Sequence, residues 1–507
     1  MWWNQRQQAM LTFEEYRKLD AHDLTNLFKT GQIQASELLE SALHAAQHLN
    51  PEINAIVELL PEIGQKLASS TTKEMPFAGV PFLVKDLGFE IAGAPLRSGS
   101  RGYANYVSTE DSIAIQRIKA AGLMIFGKSN TPEFGLTPYT EPLSAGICRN
   151  PWNTNHTPGG SSGGSAAAVV AGICPIASAN DGGGSIRMPA SSCGLFGMKP
   201  SRGRISWAPF AGEGWSGAEE EGCVSKSVRD SARYLDVVSG PTPFDVYQVP
   251  KPEVPYSEEL KKEPGKLRIA FSKQHTLGHE VHPECLAAMD HTLKLLQSLG
   301  HEVEEVPLPF FKEDLTKAFL VMVAAEVAAE LDRMKSHLGR KVRLSDVEPN
   351  TYALHLLGRT FRADELTTAK RKWYEISARL VRMHQQYDIF LTPTLASPPI
   401  KVGALQPKPH EALLVRIVNT FHLGGLAKAS IDQLAEQIYD YMPWTIMANI
   451  SGQPSMSVPL HWSADGLPVG SLFTAQQGQE GLLFRLAAQL EQAQPWKHRY
   501  EDLPLWK

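Results

Sequence analysis

Between residues 159 and 187, glycine gathers around serine twice: Gly159-Gly160-Ser161-Ser162-Gly163-Gly164-Ser165, then Asp181-Gly182-Gly183-Gly184-Ser185-Ile186-Arg187. Such runs let backbone N–H groups close on a small anionic oxygen without interference from Cβ, which suits either a phosphate cradle or an oxyanion hole. A nearby base decides between the two. Ser165 can cap a helix beginning Ala166-Ala167-Ala168-Val169-Val170, which sets the Ser161 loop at a positive helix end and favours developing negative charge.

The candidate base is Lys85, which ends the apolar stretch Val80-Pro81-Phe82-Leu83-Val84. A strand there delivers the ammonium to the edge of a site. If the site is dry, desolvation lowers the lysine pKa and leaves the neutral amine that a general base requires. Ser-Lys pairs replace Ser-His on several unrelated folds.

Helices and strands alternate along the chain. Ser36 is expected to cap a helix carrying Leu39, Leu43, Ala46 and Leu49, with Pro51 stopping it. Ala114 to Ala121 reads as helix and Leu123-Met124-Ile125-Phe126 as a buried strand. Six prolines between Pro241 and Gly265 read as an extended surface connection. Beyond it, Leu267 to Phe271, Leu286 to Leu299 and Val303 to Leu308 form a β-α-β pattern. Phe319 to Leu331 reads as a core helix, interrupted by Glu326 and Glu330 and too short to span a bilayer. The stretch from Lys401 to Tyr441 suits a lid or a pocket wall.

Several short patterns match known motifs only as text. Gly122-Leu123-Met124-Ile125-Phe126-Gly127-Lys128-Ser129 satisfies the P-loop spacing, yet its middle is an apolar strand and cannot curl amides around phosphate. Gly160-Ser161-Ser162-Gly163-Gly164 fits G-x-S-x-G with Ser162 as nucleophile, but no strand precedes it. Ser70-Thr71-Thr72-Lys73 and Lys29-Thr30-Gly31 match marks of penicillin-recognising enzymes and read as surface turns. His275, His279 and His282 lie near Glu280 and Glu284, but Gly278 and Pro283 argue for a solvated loop rather than a metal helix.

The 507 residues, 43% of them hydrophobic, can bury an extensive core, and a net charge of −5 gives no case for nucleic acid or an anionic membrane as partner. Five scattered cysteines without a CxxC pair suit a reducing cytoplasm. Cys193 reads as a buried packing thiol. Residues Met1 to Arg6 carry no secretory pattern.

In order, Lys85, the Ser161 run and the Gly-Gly-Ser185-Ile-Arg run reproduce the core of the amidase signature family, which the chain resembles. The likeness continues through Pro189-Ala190-Ser191-Ser192-Cys193-Gly194 and Lys199-Pro200-Ser201-Arg202-Gly203-Arg204. It returns at Asn449-Ile450-Ser451-Gly452-Gln453-Pro454 and Asp465-Gly466-Leu467-Pro468-Val469-Gly470. Within the family, Phe77-Ala78-Gly79-Val80-Pro81, Leu83 to Leu87, Arg149 to Asn153 and Asn180-Asp181 resemble the 6-aminohexanoate-cyclic-dimer hydrolases most. Many family members have Thr-Asp where this chain has Asn180-Asp181.

The resemblance implies an α/β fold with a large central mixed β-sheet covered by helices on both faces. It also implies a single domain over 10–500: a helical part at 10–70, a catalytic core at 75–240, the connection at 241–265 and a pocket-bearing remainder at 266–500. The implied chemistry is amide hydrolysis by a Ser-Ser-Lys triad. Ser185 attacks, Ser161 relays the proton, neutral Lys85 receives it, and the N–H groups of Gly182, Gly183, Gly184 and Ser185 hold the oxyanion. Asp181 and Arg187 brace the loop, while Phe134 and Gly135 line the acyl side of the cleft. No metal or cofactor is implied, the partner is a small-molecule amide, and family habit implies a homodimer. Competing readings are a glutamyl-tRNA amidotransferase A-type subunit, an aryl-acylamidase, a carbamate or ester hydrolase on the same site, and a nucleotide-binding protein using Gly127-Lys128-Ser129.

Overall fold

Six consecutive residues of Val80–Lys85 are buried, and because side chains alternate across a strand, burial of all six means that both faces of the sheet are covered there. The same holds for Leu123–Ser129, Ile176–Asp181 and Glu220–Ser225. The structure is a computed structural model that describes residues 11–309, 312–425, 436 and 439–506. Met1 to Arg6 lie outside the described residues, as do 426–435, 437 and 438 of the expected lid or wall.

The strands are β1 (Ile56–Leu59), β2 (Val80–Lys85), β3 (Leu123–Ser129), β4 (Ile176–Asp181), β5 (Phe196–Lys199), β6 (Glu220–Ser225), β7 (Arg268–Phe271), β8 (Glu302–Glu305), β9 (Ile389–Pro393), β10 (Ser455–Trp462) and β11 (Pro468–Ala475). They form one sheet in the order β1-β3-β2-β4-β6-β5-β10-β11-β9-β7-β8. The sheet is mixed: β2 runs parallel to β3 and β4, β7 runs parallel to β8 and β9, and the remaining pairs are antiparallel. β7, the helix Pro283–Ser298 and β8 make the expected β-α-β unit. Strands from before and after the proline-rich connection share this sheet, joined by β5 against β10. That connection holds one short helix, Tyr256–Glu259, and is tied down where Arg204 donates to the Pro250 carbonyl.

Three local expectations are corrected. The helix expected to start at Ser36 spans Ala35–Ile53 and is capped at Gln34, whose N–H donates to Glu37, while Pro51 sits inside its last turn. A proline there removes one intrahelical bond, and the helix ends only where Asn54 turns left-handed at φ 48°. The helix expected to follow Ser165 spans Gly163–Val170, and the Ser165 hydroxyl donates to the Ser178 carbonyl rather than capping. Gly164 permits the early start, because a Cβ there would lie 2.3 Å from the Asn130 nitrogen. The expected core helix is much longer, Lys312–Leu338, and no helix among the described residues is long and apolar enough to cross a membrane.

Candidate active site

β2 and β4 lie side by side and carry the basic end of the site. The Lys85 N–H donates to Ser178 Oγ at 2.8 Å, and two residues further along β4 the side-chain carbonyl of Asn180 meets Lys85 Nζ. Residues two apart on a strand share a face, so β4 holds both the backbone and the side chain of the lysine. Lys85 Nζ also lies 2.7 Å from Ser161 Oγ. Lys85 is fully buried, and burial pushes its ammonium down to about 7, opposed by the nearby Glu219 and Asp181 carboxylates. Burial likewise pushes Glu219 up.

Ser161 enters this arrangement from the turn before the helix Gly163–Val170, through a cis peptide bond between Gly160 and Ser161. Gly160 is closely wrapped, since a Cβ there would lie 2.6 Å from the Tyr139 nitrogen. Gly135 presses on the other side of Ser161, where a Cβ would approach its Oγ to 3.0 Å.

Ser185 follows β4 at the start of the helix Arg187–Cys193 and opens onto an apolar pocket. The structure brings Lys85 and Ser161 into contact; between Ser161 and Ser185 it gives no direct hydrogen bond among the described residues. The pocket is walled by apolar groups such as Met188, Trp215, Phe319, Val323, Leu354 and Met442. Thr137, Asn350, Glu411 and Tyr439 add polar groups, and Gly183 lines it beside Ser185.

The loop between β4 and Ser185 is folded by Asp181. Its carboxylate accepts from the Gly184 N–H at 2.7 Å and the Ile186 N–H at 3.1 Å, and pairs through both oxygens with Arg187 at 2.8 Å. Burial opposes ionisation of Asp181, but the Arg187 guanidinium, aided by Asn449, holds it well below the usual carboxylate range. The expected brace is thus a buried bidentate pair. One expectation changes: the Gly184 N–H is committed to Asp181 and is not available to an oxyanion. Among the described residues, Gly182, Gly183 and Ser185 retain N–H groups with no such bond.

Phe134 is also corrected. Its backbone is left-handed, φ 51°, and its ring packs against Tyr103, while the expected Gly135 does line the pocket, together with Leu136, Thr137 and Pro138. Two contributors escape sequence reasoning. Thr445 donates its hydroxyl to the Gly183 carbonyl at 2.6 Å, and Asn449 donates to both the backbone and the side chain of Asp181 at 2.8 Å. Asn449 stands in a motif shared with the resembled family, whereas Thr445 carries no sequence signal.

The textual motifs resolve into ordinary structure. Lys128 is buried within β3 and donates to the Phe89 carbonyl, so its segment is a strand, not a phosphate loop. Ser162 donates to the Asn180 carbonyl. His275 and His279 do converge on Asp440, and His275 is buried rather than solvated, packed on Trp444. Its Nδ1 accepts the Leu277 N–H and its Nε2 meets the Asp440 carbonyl, so both ring nitrogens serve the loop. Cys193 and the other four cysteines are free and buried, and burial pushes every one of these thiols up. From the segment 401–441, the helix Pro409–Phe421 contributes Glu411, Leu414 and Val415 to the pocket wall.

A mixed sheet thus presents a lysine-serine pair and, in a glycine loop, a second serine over an apolar pocket, and residues 37–484 match the family described as Amidase. The chain belongs to the amidase signature family and is an amide hydrolase. It is 36% identical over 500 residues to a 6-aminohexanoate-cyclic-dimer hydrolase of Pseudomonas sp. (strain NK87), covering 96% of each chain. Among solved structures it is similar to a 6-aminohexanoate cyclic dimer hydrolase complexed with substrate, with TM-score 0.87 and 33% identity over 97% of this chain and all of that one. The A-type subunit of the Thermotoga maritima glutamyl-tRNA(Gln) amidotransferase is more distant, with TM-score 0.75 and 27% identity over 96% of this chain and 97% of that one.

Proposed function

We propose that the chain hydrolyses aliphatic carboxamides through an acyl-enzyme on Ser185, with Ser161 and Lys85 as the proton relay. The observation that carries this reading is the 2.7 Å contact of Ser161 Oγ with a fully buried Lys85 amine. An uncharged amine accepts the Ser161 proton, and Ser161 in turn accepts the proton that Ser185 loses on attack. The N–H groups of Gly182, Gly183 and Ser185 stabilise the tetrahedral oxyanion, each worth about 3 kcal/mol in the transition state. The relay then runs backwards to protonate the departing amine, and water releases the acyl group.

The apolar wall of Met188, Phe319, Val323 and Leu354 favours an extended hydrocarbon acyl or amine group. Linear or cyclic oligomers of 6-aminohexanoate fit that requirement, as the names of the similar proteins suggest. A glutamine-type donor fits less well, because its α-ammonium and α-carboxylate need charged partners that this wall largely lacks. Five buried thiols suit a reducing compartment such as the cytoplasm. The test is a hydrolysis screen of purified protein, without ATP or a partner, on cyclic and linear 6-aminohexanoate oligomers, anilides, primary amides, carbamates and esters. Turnover of amides with an acyl adduct on Ser185 by mass spectrometry is expected; absence of the adduct in a reacting enzyme overturns the nucleophile.

A further inference from the structure

Asn180 is a buried amide with both ends assigned. Its Oδ1 meets Lys85 Nζ, and its Nδ2 donates to the Leu87 carbonyl at 3.1 Å. Turning the amide over would set carbonyl against carbonyl at Leu87 and amino group against amine at Lys85, so the two contacts enforce one orientation. The turn after β2 is shaped to accept it. Gly88 has φ 84°, and a Cβ there would lie 2.9 Å from Asn180 Nδ2.

A neutral lysine amine has two N–H bonds and one lone pair. When one N–H is held by the Asn180 carbonyl, the tetrahedral nitrogen has fewer ways to face Ser161. We propose, resting on the triad reading above, that Asn180 is a positioning residue: its side-chain carbonyl holds one Lys85 N–H and thereby turns the amine lone pair toward Ser161. The amide is suited to this because it accepts a hydrogen bond without bringing a full negative charge. A carboxylate in its place would favour the ammonium form and remove the lone pair.

The ionisable groups around this contact come from several elements. Asp181 follows Asn180 on β4 and is neutralised by Arg187. Glu219 precedes β6 and acts on Lys85 directly, while Glu326 on the helix Lys312–Leu338 acts on Glu219. Glu221 stands directly across from Asn180 on β6, and burial pushes its carboxyl well up. An added charge at 180 would therefore join a set that already balances the lysine.

The test is the pH profile of kcat/KM for Asn180→Asp, Asn180→Ala and Asn180→Ser, on the amide cleaved fastest in the screen, with folding checked by circular dichroism. Asn180→Asp is expected to move the acidic limb up by about one pH unit or more, costing about tenfold at neutral pH and less in alkali. Asn180→Ala should lose about tenfold or more in kcat at all pH values, and Asn180→Ser, which keeps an acceptor oxygen, should recover part of it. An unmoved limb in a folded Asn180→Asp overturns the proposal. So does Asn180→Ser no better than Asn180→Ala, a comparison that stands if the Asp variant does not fold. Lys85→Ala is run beside them: turnover surviving in it sinks the triad reading, whereas its loss with an unmoved Asn180→Asp limb sinks only the role of Asn180.

Discussion

Lys85 Nζ and Ser161 Oγ are 2.7 Å apart where the last residue of β2 meets the turn before a buried helix. Lys85→Ala should lower kcat by about 10²–10⁴-fold, the usual worth of a positioned proton acceptor. The measurement is steady-state turnover referred to protein shown to be folded.

The pH profile tests the same contact by its sign. Burial lowers the lysine to about 7, so the amine is protonated and inactive below that value and free above it. kcat/KM should therefore rise with pH through the neutral range and then level. A profile falling over that range would mean that the protonated form is the working one.

Arg187 and Asp181 are both without solvent access. Arg187→Met leaves a buried carboxylate with its main partner gone, and removal of one partner from such a pair costs about 3–5 kcal/mol. A large fall in the denaturant midpoint is expected, together with lost activity from the loop that Asp181 folds. A midpoint unchanged from that of the parent protein would refute this account of the loop.

Gly184 has φ 132°, and a Cβ there would lie 2.6 Å from Thr445 Oγ1. Gly184→Ala should disturb both the backbone angle and the Thr445 contact, at a cost of about 1–3 kcal/mol of strain. Because Gly183 and Ser185 flank it, kcat should fall further than stability does. Kinetics and denaturation on the same variant separate the two.

The five free thiols are all buried and held in their protonated form. A thiol-selective chromogenic reagent should find essentially none in the native protein and all five in denaturant. Rapid reaction of Cys193 in the native state would contradict its burial.

Much of this arrangement is legible in residue order alone. The apolar run before Lys85 marks a buried strand, and the glycines around Ser161 and Ser185 mark close backbone approach, because both signals are local. The helix starts near Ser36 and Ser165 depart from expectation for a different reason: a serine that can cap competes with neighbours whose tertiary contacts decide the first turn. The Phe134 ring cannot be placed from sequence, since a left-handed backbone at a non-glycine residue is imposed by packing. Nor can the loss of the Gly184 N–H, which depends on how Asp181 turns. Asn449 carries a family motif, but its contact with Asp181 and that of Thr445 with Gly183 are beyond reach, because the two lie 262 and 258 residues from Arg187.

That last separation has a consequence for biosynthesis. The segment carrying all three proposed catalytic groups leaves the ribosome long before Thr445 and Asn449 are translated, so the emerging polypeptide holds its serines without the clasp that shapes their loop. Until that distant segment docks, the glycine loop lacks the Thr445 and Asn449 hydrogen bonds that hold it in shape.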